Sequence, residues 1–245
     1  MATRRFHLHP AGLLITLAAL ALCLHLGFWQ LDRAQEKTAL FASMESRATL
    51  APVPLGELLA MADPAHFPVE LQGHFDNDHP ILLDNRLVDG VAGYHLLSPF
   101  QTLDGHWLLV NRGWLPRGRD RAQLPAIADI SGLVTVSGHS YVYSDRTFTL
   151  AEDDLQDPRW PLRLQKIEMQ TIGQLLGVEL APFEIRVAPA AQLEADQQLP
   201  RPWQAPEASV LGPERHRAYA VQWFSLAAAA VLIFIAASFR KTGDD

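Results

Sequence analysis

Two long aliphatic runs, one near each end of the chain, stand apart from a middle in which apolar and polar residues alternate with a period close to two. The first, AGLLITLAALALCLHLGFWQ, contains no lysine and no carboxylate, and only Thr16, Cys23, His25 and Gln30 interrupt it; the second runs from Tyr219 to Phe239. Each is about 20 residues, or about 30 Å of helix, which matches a hydrocarbon core in which the backbone must satisfy its own hydrogen bonds. The pattern predicts a membrane protein with transmembrane helices at 10–30 and 218–239. An external domain at 31–187 and a proline-rich connection at 188–217 lie between them, and tails at 1–9 and 240–245 flank them.

Arg4 and Arg5 precede the first span, and Arg240 and Lys241 follow the second. Basic flanks mark the cytoplasmic side, so both termini read as cytoplasmic and the domain as external. Trp29 with Gln30 and Gln222 with Trp223 then fall near the same outer surface, where interfacial aromatics belong. A cleaved signal needs small residues before the cut, which neither Cys23-Leu24-His25 nor Gly27-Phe28-Trp29 offers, and bulky Leu22 spoils a lipoprotein-like site at Cys23. An Arg- and Ser-rich amphipathic transit leader is not seen, so the chain reads as bacterial, or as already processed.

Within the domain, strands are predicted at 67–73, 80–88, 94–100, 106–114, 133–142 and 182–189. Turn signals separate them at Asp76-Asn77-Asp78, Asp89-Gly90, Asp104-Gly105, Pro116 and Gly118. Regular spacing of this kind predicts a mostly antiparallel α+β domain, curled into a barrel or sandwich. Leu164 to Leu176 instead has helical spacing and ends at Gly177, and a short helix is predicted from Thr38 to Arg47. The tract from Ala188 to Pro213 carries five prolines and reads as an extended connection, with Trp203 either docked on the domain or lying at the lipid surface.

The net charge of −7 excludes a typical nucleic-acid binder. One cysteine, Cys23, permits neither an internal disulfide nor a thiolate cluster, and reads as a packing or lipid-facing residue. The chain lacks G-x-S-x-G, H-E-x-x-H and Gly-rich phosphate-loop patterns, so no enzyme is expected, and the ten histidines show no ligand spacing. Asp76-Asn77-Asp78 lacks the rest of a calcium loop and reads as a tight turn. Arg86 and Arg112 each follow an asparagine. They read either as buried structural cations paired with a carboxylate such as Asp84, or as contacts to a partner or to a propionate.

His216 stands three residues before the second apolar run and reads either as an interfacial anchor or as an axial ligand. His25 lies roughly 7 Å inside the first span at 1.5 Å per residue, so pairing of the helices would let the two imidazoles approach.

Several blocks occur in one order along the chain. They are Leu26-Gly27-Phe28-Trp29-Gln30 with Arg33 and Lys37, Gly73-His74-Phe75-Asp76, Leu83-Asp84-Asn85-Arg86 and Gly93-Tyr94-His95, then Leu109-Val110-Asn111-Arg112-Gly113-Trp114 and His216-Arg217-Ala218-Tyr219-Ala220-Val221-Gln222-Trp223-Phe224. In these blocks and in its two-span layout the chain resembles the surfeit locus protein 1 family of cytochrome c oxidase assembly factors, over nearly its whole length. The resemblance is weak from Asp153 to Gln165, around Trp160.

The resemblance implies a multi-pass protein of the bacterial inner membrane that assists maturation of oxidase subunit I alongside other assembly factors, in contact with lipid and not with nucleic acid. It further implies transient haem a binding with His216 as iron ligand and Tyr219, Gln222 and Trp223 shaping the site. Gly27, Trp29, Gln30, Arg33, Asn111, Arg112, Gly113 and Trp114 carry over as motif or partner-facing residues. The alternative is a scaffold that holds oxidase intermediates without touching haem; a membrane-tethered hydrolase lacks a recognisable nucleophile–base pair.

Overall fold

A computed structural model describes residues 4–6, 9–118, 120, 123–143, 155, 158–189, 191, 193, 196, 199–204 and 212–241. The chain divides into two compact units, Met1–Ser43 with Ser209–Asp245, and Met44–Ala208.

In chain order, strand β1 (Arg4–Phe6) precedes helix α1 (Pro10–Ala48), and a short helix α2 (Leu55–Ala60) leads into strands β2 (Pro68–Phe75), β3 (Ile81–Val88), β4 (Val91–Thr102), β5 (Trp107–Pro116) and β6 (Val134–Tyr141). Strand β7 (Leu162–Leu164), helix α3 (Met169–Leu176) and strand β8 (Leu180–Val187) follow, then helix α4 (Pro213–Ser238) and strand β9 (Phe239–Lys241). Strands β1 and β9 pair antiparallel.

The expected six strands are all present, and they curl into a barrel. The sheet runs β2-β6-β8-β5-β4-β3-β7, and an added pairing of β2 with β4 closes five of the strands into a ring. Strands β3 and β7 extend the sheet beyond this ring from β4. Two pairings, β5 with β8 and β3 with β7, are parallel, which the expectation of a mainly antiparallel sheet did not include.

Alternation along the strands sorts side chains into two large apolar clusters and a smaller one of Leu82, Tyr94 and Leu96. Val69, Leu71, Phe100, Leu108, Val110, Val136, Phe183, Ile185 and Val187 fill the barrel, and Leu55 and Leu58 of α2 join them. On the opposite face, Ile81, Leu83, Leu97 and Leu109 pack under Leu162, Leu164, Ile167 and Ile172. The helix predicted from Leu164 is therefore shorter. Leu162 to Leu164 is a strand, and α3 starts at Met169 and ends at left-handed Gly177.

In the other unit α1 and α4 run antiparallel. Gly12 faces Phe234 and Gly27 faces Phe224, so the helices meet along a seam that also buries Ala34, Ala220 and Ala227. The short helix expected at Thr38–Arg47 is the unbroken continuation of α1, which totals 39 residues, about 58 Å at 1.5 Å per residue. Both helices are long and apolar enough to cross a membrane. Outside the seam they are apolar and bare: Leu14, Ile15, Leu22 and Phe28 on α1 and Leu226, Leu232 and Ile233 on α4 are all exposed.

Candidate functional site

Helix α4 begins at Pro213 with Gly212 before it, five residues ahead of the predicted transmembrane stretch; proline is at home in a first helical turn, where its missing N–H has no partner to lose. His216 consequently lies inside the helix, on the face that reaches α1. Its Nδ1 is 2.7 Å from Oε1 of Gln30. The approach of His25 to His216 that helix pairing could allow is not made. The register excludes that: Gly27 meets Phe224, so His25 stands at or beyond the level of Phe224, about two turns from His216, and is exposed.

The remaining helix residues surround this pair unevenly. Tyr219 and Trp223 follow His216 one and two turns along its face; Tyr219 is exposed and Trp223 half-buried. Gln222 is exposed about a third of a turn away. Trp29 is exposed, with the Arg33 guanidinium 5.8 Å from its ring centroid and Arg33 paired to Glu36 at 2.6 Å. Arg217 donates to Thr38 at 3.4 Å, so the two helices are also tied beyond the His216–Gln30 contact.

Gly27 makes the approach possible. A Cβ there would stand 2.5 Å from Cε1 of Phe224, whose ring lies edge-on to Phe28 at 5.3 Å. Ala220 and Ala227 continue the seam on α4, whereas Ala228 and Ala229 are exposed. Small residues of this kind let helix backbones approach in lipid.

A glutamine oxygen only accepts, so with Oε1 facing Nδ1 an uncharged His216 ring would carry its proton on Nδ1 and its lone pair on Nε2. Nε2 has no hydrogen-bond partner among the described residues. That donor set fits one axial bond to a haem iron. Among the described residues no three His, Cys, Asp or Glu side chains gather into a metal-binding group, but a haem needs only one imidazole from the protein.

The second motif set lies in the barrel and is consumed by internal contacts. Arg112 is 1% exposed and pairs with Asp196, not with Asp84 as anticipated; it also donates to Ser98 Oγ at 3.2 Å and to the Ala128 carbonyl at 2.6 Å. Asn111 Nδ2 donates to the buried Glu184 carboxylate, and Trp114 Nε1 donates to the Arg86 carbonyl at 2.9 Å. Gly113 has φ +153°, and a Cβ there would stand 2.6 Å from Cβ of Leu199. Arg112 is thus a buried cation paired with a carboxylate.

Asp196 and Leu199 belong to the proline-rich connection, several of whose described residues are bound to the domain. Arg201 donates to the carbonyls of Arg112, Ala188 and Ala191, and the Trp114 amide donates to Pro200. Trp203 docks on the domain, as one of its two readings had it: its Nε1 donates to Val187 at 3.0 Å, and its ring meets His95 at 5.7 Å.

Beside Trp203 lies a polar cluster that the sequence did not disclose. Glu184 accepts from Arg186 Nε at 2.7 Å and from the Tyr143 hydroxyl, and the Arg186 guanidinium lies over the Tyr141 ring at 3.3 Å. Burial, helped by the positive charges of Arg186 and Arg86, pushes the His95 imidazole down to about 3. Burial, with Glu184 beside it, pushes the Tyr143 hydroxyl well above its ordinary value. Only the alternation of these residues with core positions could have signalled their shared face.

Asp76-Asn77-Asp78 is a turn, as read: the Asp78 amide donates to Asp76 Oδ1 at 2.9 Å, and Asn77 exchanges two hydrogen bonds with the Ile130 backbone. His79 Nδ1 lies 2.7 Å from Asp76 Oδ2.

A family model described as the SURF1 family matches residues 17–228. The chain is 28% identical over 230 residues to a SURF1-like protein of Rickettsia felis, covering 91% of this chain and 94% of that protein. It is 25% identical over 239 residues to Surfeit locus protein 1 of Mus musculus, covering 89% and 72%. Against Surfeit locus protein 1 of Homo sapiens it is 25% identical over 238 residues, covering 89% and 74%.

Proposed function

Because the chain belongs to the SURF1 family, we propose that it is a membrane-embedded assembly factor for haem-copper (cytochrome c) oxidase, which assists insertion of haem a into nascent subunit I or stabilises that subunit. In this reading α1 and α4 cross the bacterial inner membrane, both tails are cytoplasmic and the barrel is periplasmic. Two observations support the crossing: bare apolar flanks on both helices, and a seam of small residues between them. The arginines at 4, 5 and 240 with Lys241 support the orientation. Subunit I and other assembly factors are the partners.

The role is that of a carrier or holder, not a catalyst, and haem a is its cargo. One observation carries the haem reading: the His216 ring is held through Nδ1 by Gln30, which leaves Nε2 as a lone pair near the outer end of the helix pair. His216 would hold the haem through that lone pair, with the iron acting as Lewis acid. Tyr219 and Trp223 offer aromatic surface along the same face for the macrocycle. A single neutral ligand at a partly exposed position binds loosely enough to release its cargo.

A scaffold reading remains, favoured by one fact: the His216–Gln30 bond also ties two helices together and would be useful without haem. The two part company in membranes of a strain lacking this protein. Under the haem reading the a-type oxidase signal is lost, wild-type protein restores it and His216→Ala does not, although the variant accumulates normally. Restoration by His216→Ala leaves the scaffold reading. An undiminished a-type signal in the deletion strain removes oxidase assembly itself.

A further inference from the structure

We propose that Gln30 is the positioning residue for His216: it selects which imidazole nitrogen faces a ligand and sets how strongly that nitrogen binds. The inference rests on the reading of His216 as a haem ligand, and it adds a residue and a mechanism that the helix pair itself supplies.

Gln30 sits one turn beyond Gly27 and one turn before Ala34, on the α1 stripe that faces α4. His216 sits one turn before Ala220 on the matching stripe of α4. The Gly27–Phe224 contact lies to one side and the Arg217–Thr38 hydrogen bond to the other, so the two side chains meet at a bracketed point of the seam. Their 2.7 Å separation is a full-strength hydrogen bond.

The consequence is electronic as well as geometric. A partner on the far nitrogen fixes the tautomer and ring orientation of a ligating histidine and raises its basicity, most of all when that partner is a carboxylate. A neutral amide gives orientation with a small gain in donor strength, which suits a ligand that must let go. The preference for a lone pair on Nε2 depends, moreover, on α1 and α4 staying paired. Parting of the helices removes the acceptor on Nδ1, and the ring returns to a mixture of tautomers in which Nε2 is partly protonated.

The test is made on the full-length chain in detergent, with 15N-labelled histidine and the variants Gln30→Met and Gln30→Glu. Without any haem, nitrogen NMR of wild type and Gln30→Glu should show His216 protonated at Nδ1 and bare at Nε2, and Gln30→Met should show a mixture of tautomers. Titration with haem a should then show roughly 10- to 100-fold weaker binding for Gln30→Met. Gln30→Glu should retain or tighten binding and lower the haem midpoint potential. A proton on Nε2 in wild type, or a Gln30→Met variant with unchanged tautomer and affinity, overturns the proposal. Because the tautomer is read without haem, a Soret band that ignores His216→Ala sinks the haem reading separately.

Discussion

Arg112 and Asp196, 84 residues apart, are joined by two parallel hydrogen bonds, Nε to Oδ2 at 2.7 Å and Nη2 to Oδ1 at 2.9 Å, with 1% and 2% of their side chains exposed. The pair clamps the chain after β8 onto β5. Removing the carboxylate alone leaves a buried guanidinium uncompensated, which costs about 3–5 kcal/mol. Asp196→Ala should therefore lower the melting temperature of the full chain in detergent sharply, whereas the double change Arg112→Met with Asp196→Leu should recover most of the loss. A wild-type melt for Asp196→Ala would show that the pair holds nothing.

Gly27→Ala puts a methyl where the Phe224 ring lies, and overpacking of this kind costs about 1–3 kcal/mol. The helix pair should loosen, measured as slower disulfide trapping between cysteines placed at positions 30 and 216. Adding Phe224→Ala should restore the trapping rate. If the single variant traps as fast as its parent, the seam tolerates a Cβ and the close approach is not needed.

His95 gives the barrel an acid-sensitive element. In the unfolded chain its imidazole takes up a proton near the ordinary value of 6.5, but in the fold only near 3, because burial and the charges of Arg186 and Arg86 oppose it. The unfolded state thus binds more protons between those limits. The contribution is complete above pH 6.5 and is lost as pH falls, at about 1.4 kcal/mol per unit. His66 and His139, also lowered by burial, act in the same direction. His95→Gln should flatten the stability curve between pH 6 and 4 relative to wild type; denaturant midpoints at matched pH measure this, and parallel curves would refute it.

Trp203→Ala removes the hydrogen bond to Val187 and the ring contact with His95. For a half-buried tryptophan the loss should be about 2–3 kcal/mol. The chain after β8 should become a preferred site of limited proteolysis, and Trp203→Phe should be intermediate. Unchanged cleavage in Trp203→Ala would mean that Arg201 and Asp196 hold the segment unaided.

Much of this architecture was readable before any coordinates. Period-two runs located six strands because each buries one face and wets or differently packs the other, and the two apolar runs located the helices. Leu164 to Leu176 reads as one helix because the end of a three-residue strand, a turn and a shorter helix all point leucines and isoleucines into one cluster. Proline content marks Ala188 to Pro213 as extended and hides the anchoring of Asp196, Arg201 and Trp203. The need for Asp196 arises only once Arg112 is sealed inside the barrel. Likewise, helical rise gave the depth of His25 but not the register of α1 against α4, so Gln30 was singled out as a motif residue without its partner. The Glu184, Arg186, Tyr143 and His95 cluster is assembled from β8, β4 and the connection after β6, and no local spacing announces it.

The most direct test of the whole account is the absorption spectrum of the purified full-length protein titrated with haem a. The account requires a saturable Soret band in the wild type that shifts and weakens when His216 becomes alanine, with the helical content unchanged. An identical spectrum in the two proteins would contradict it and take His216 out of haem binding.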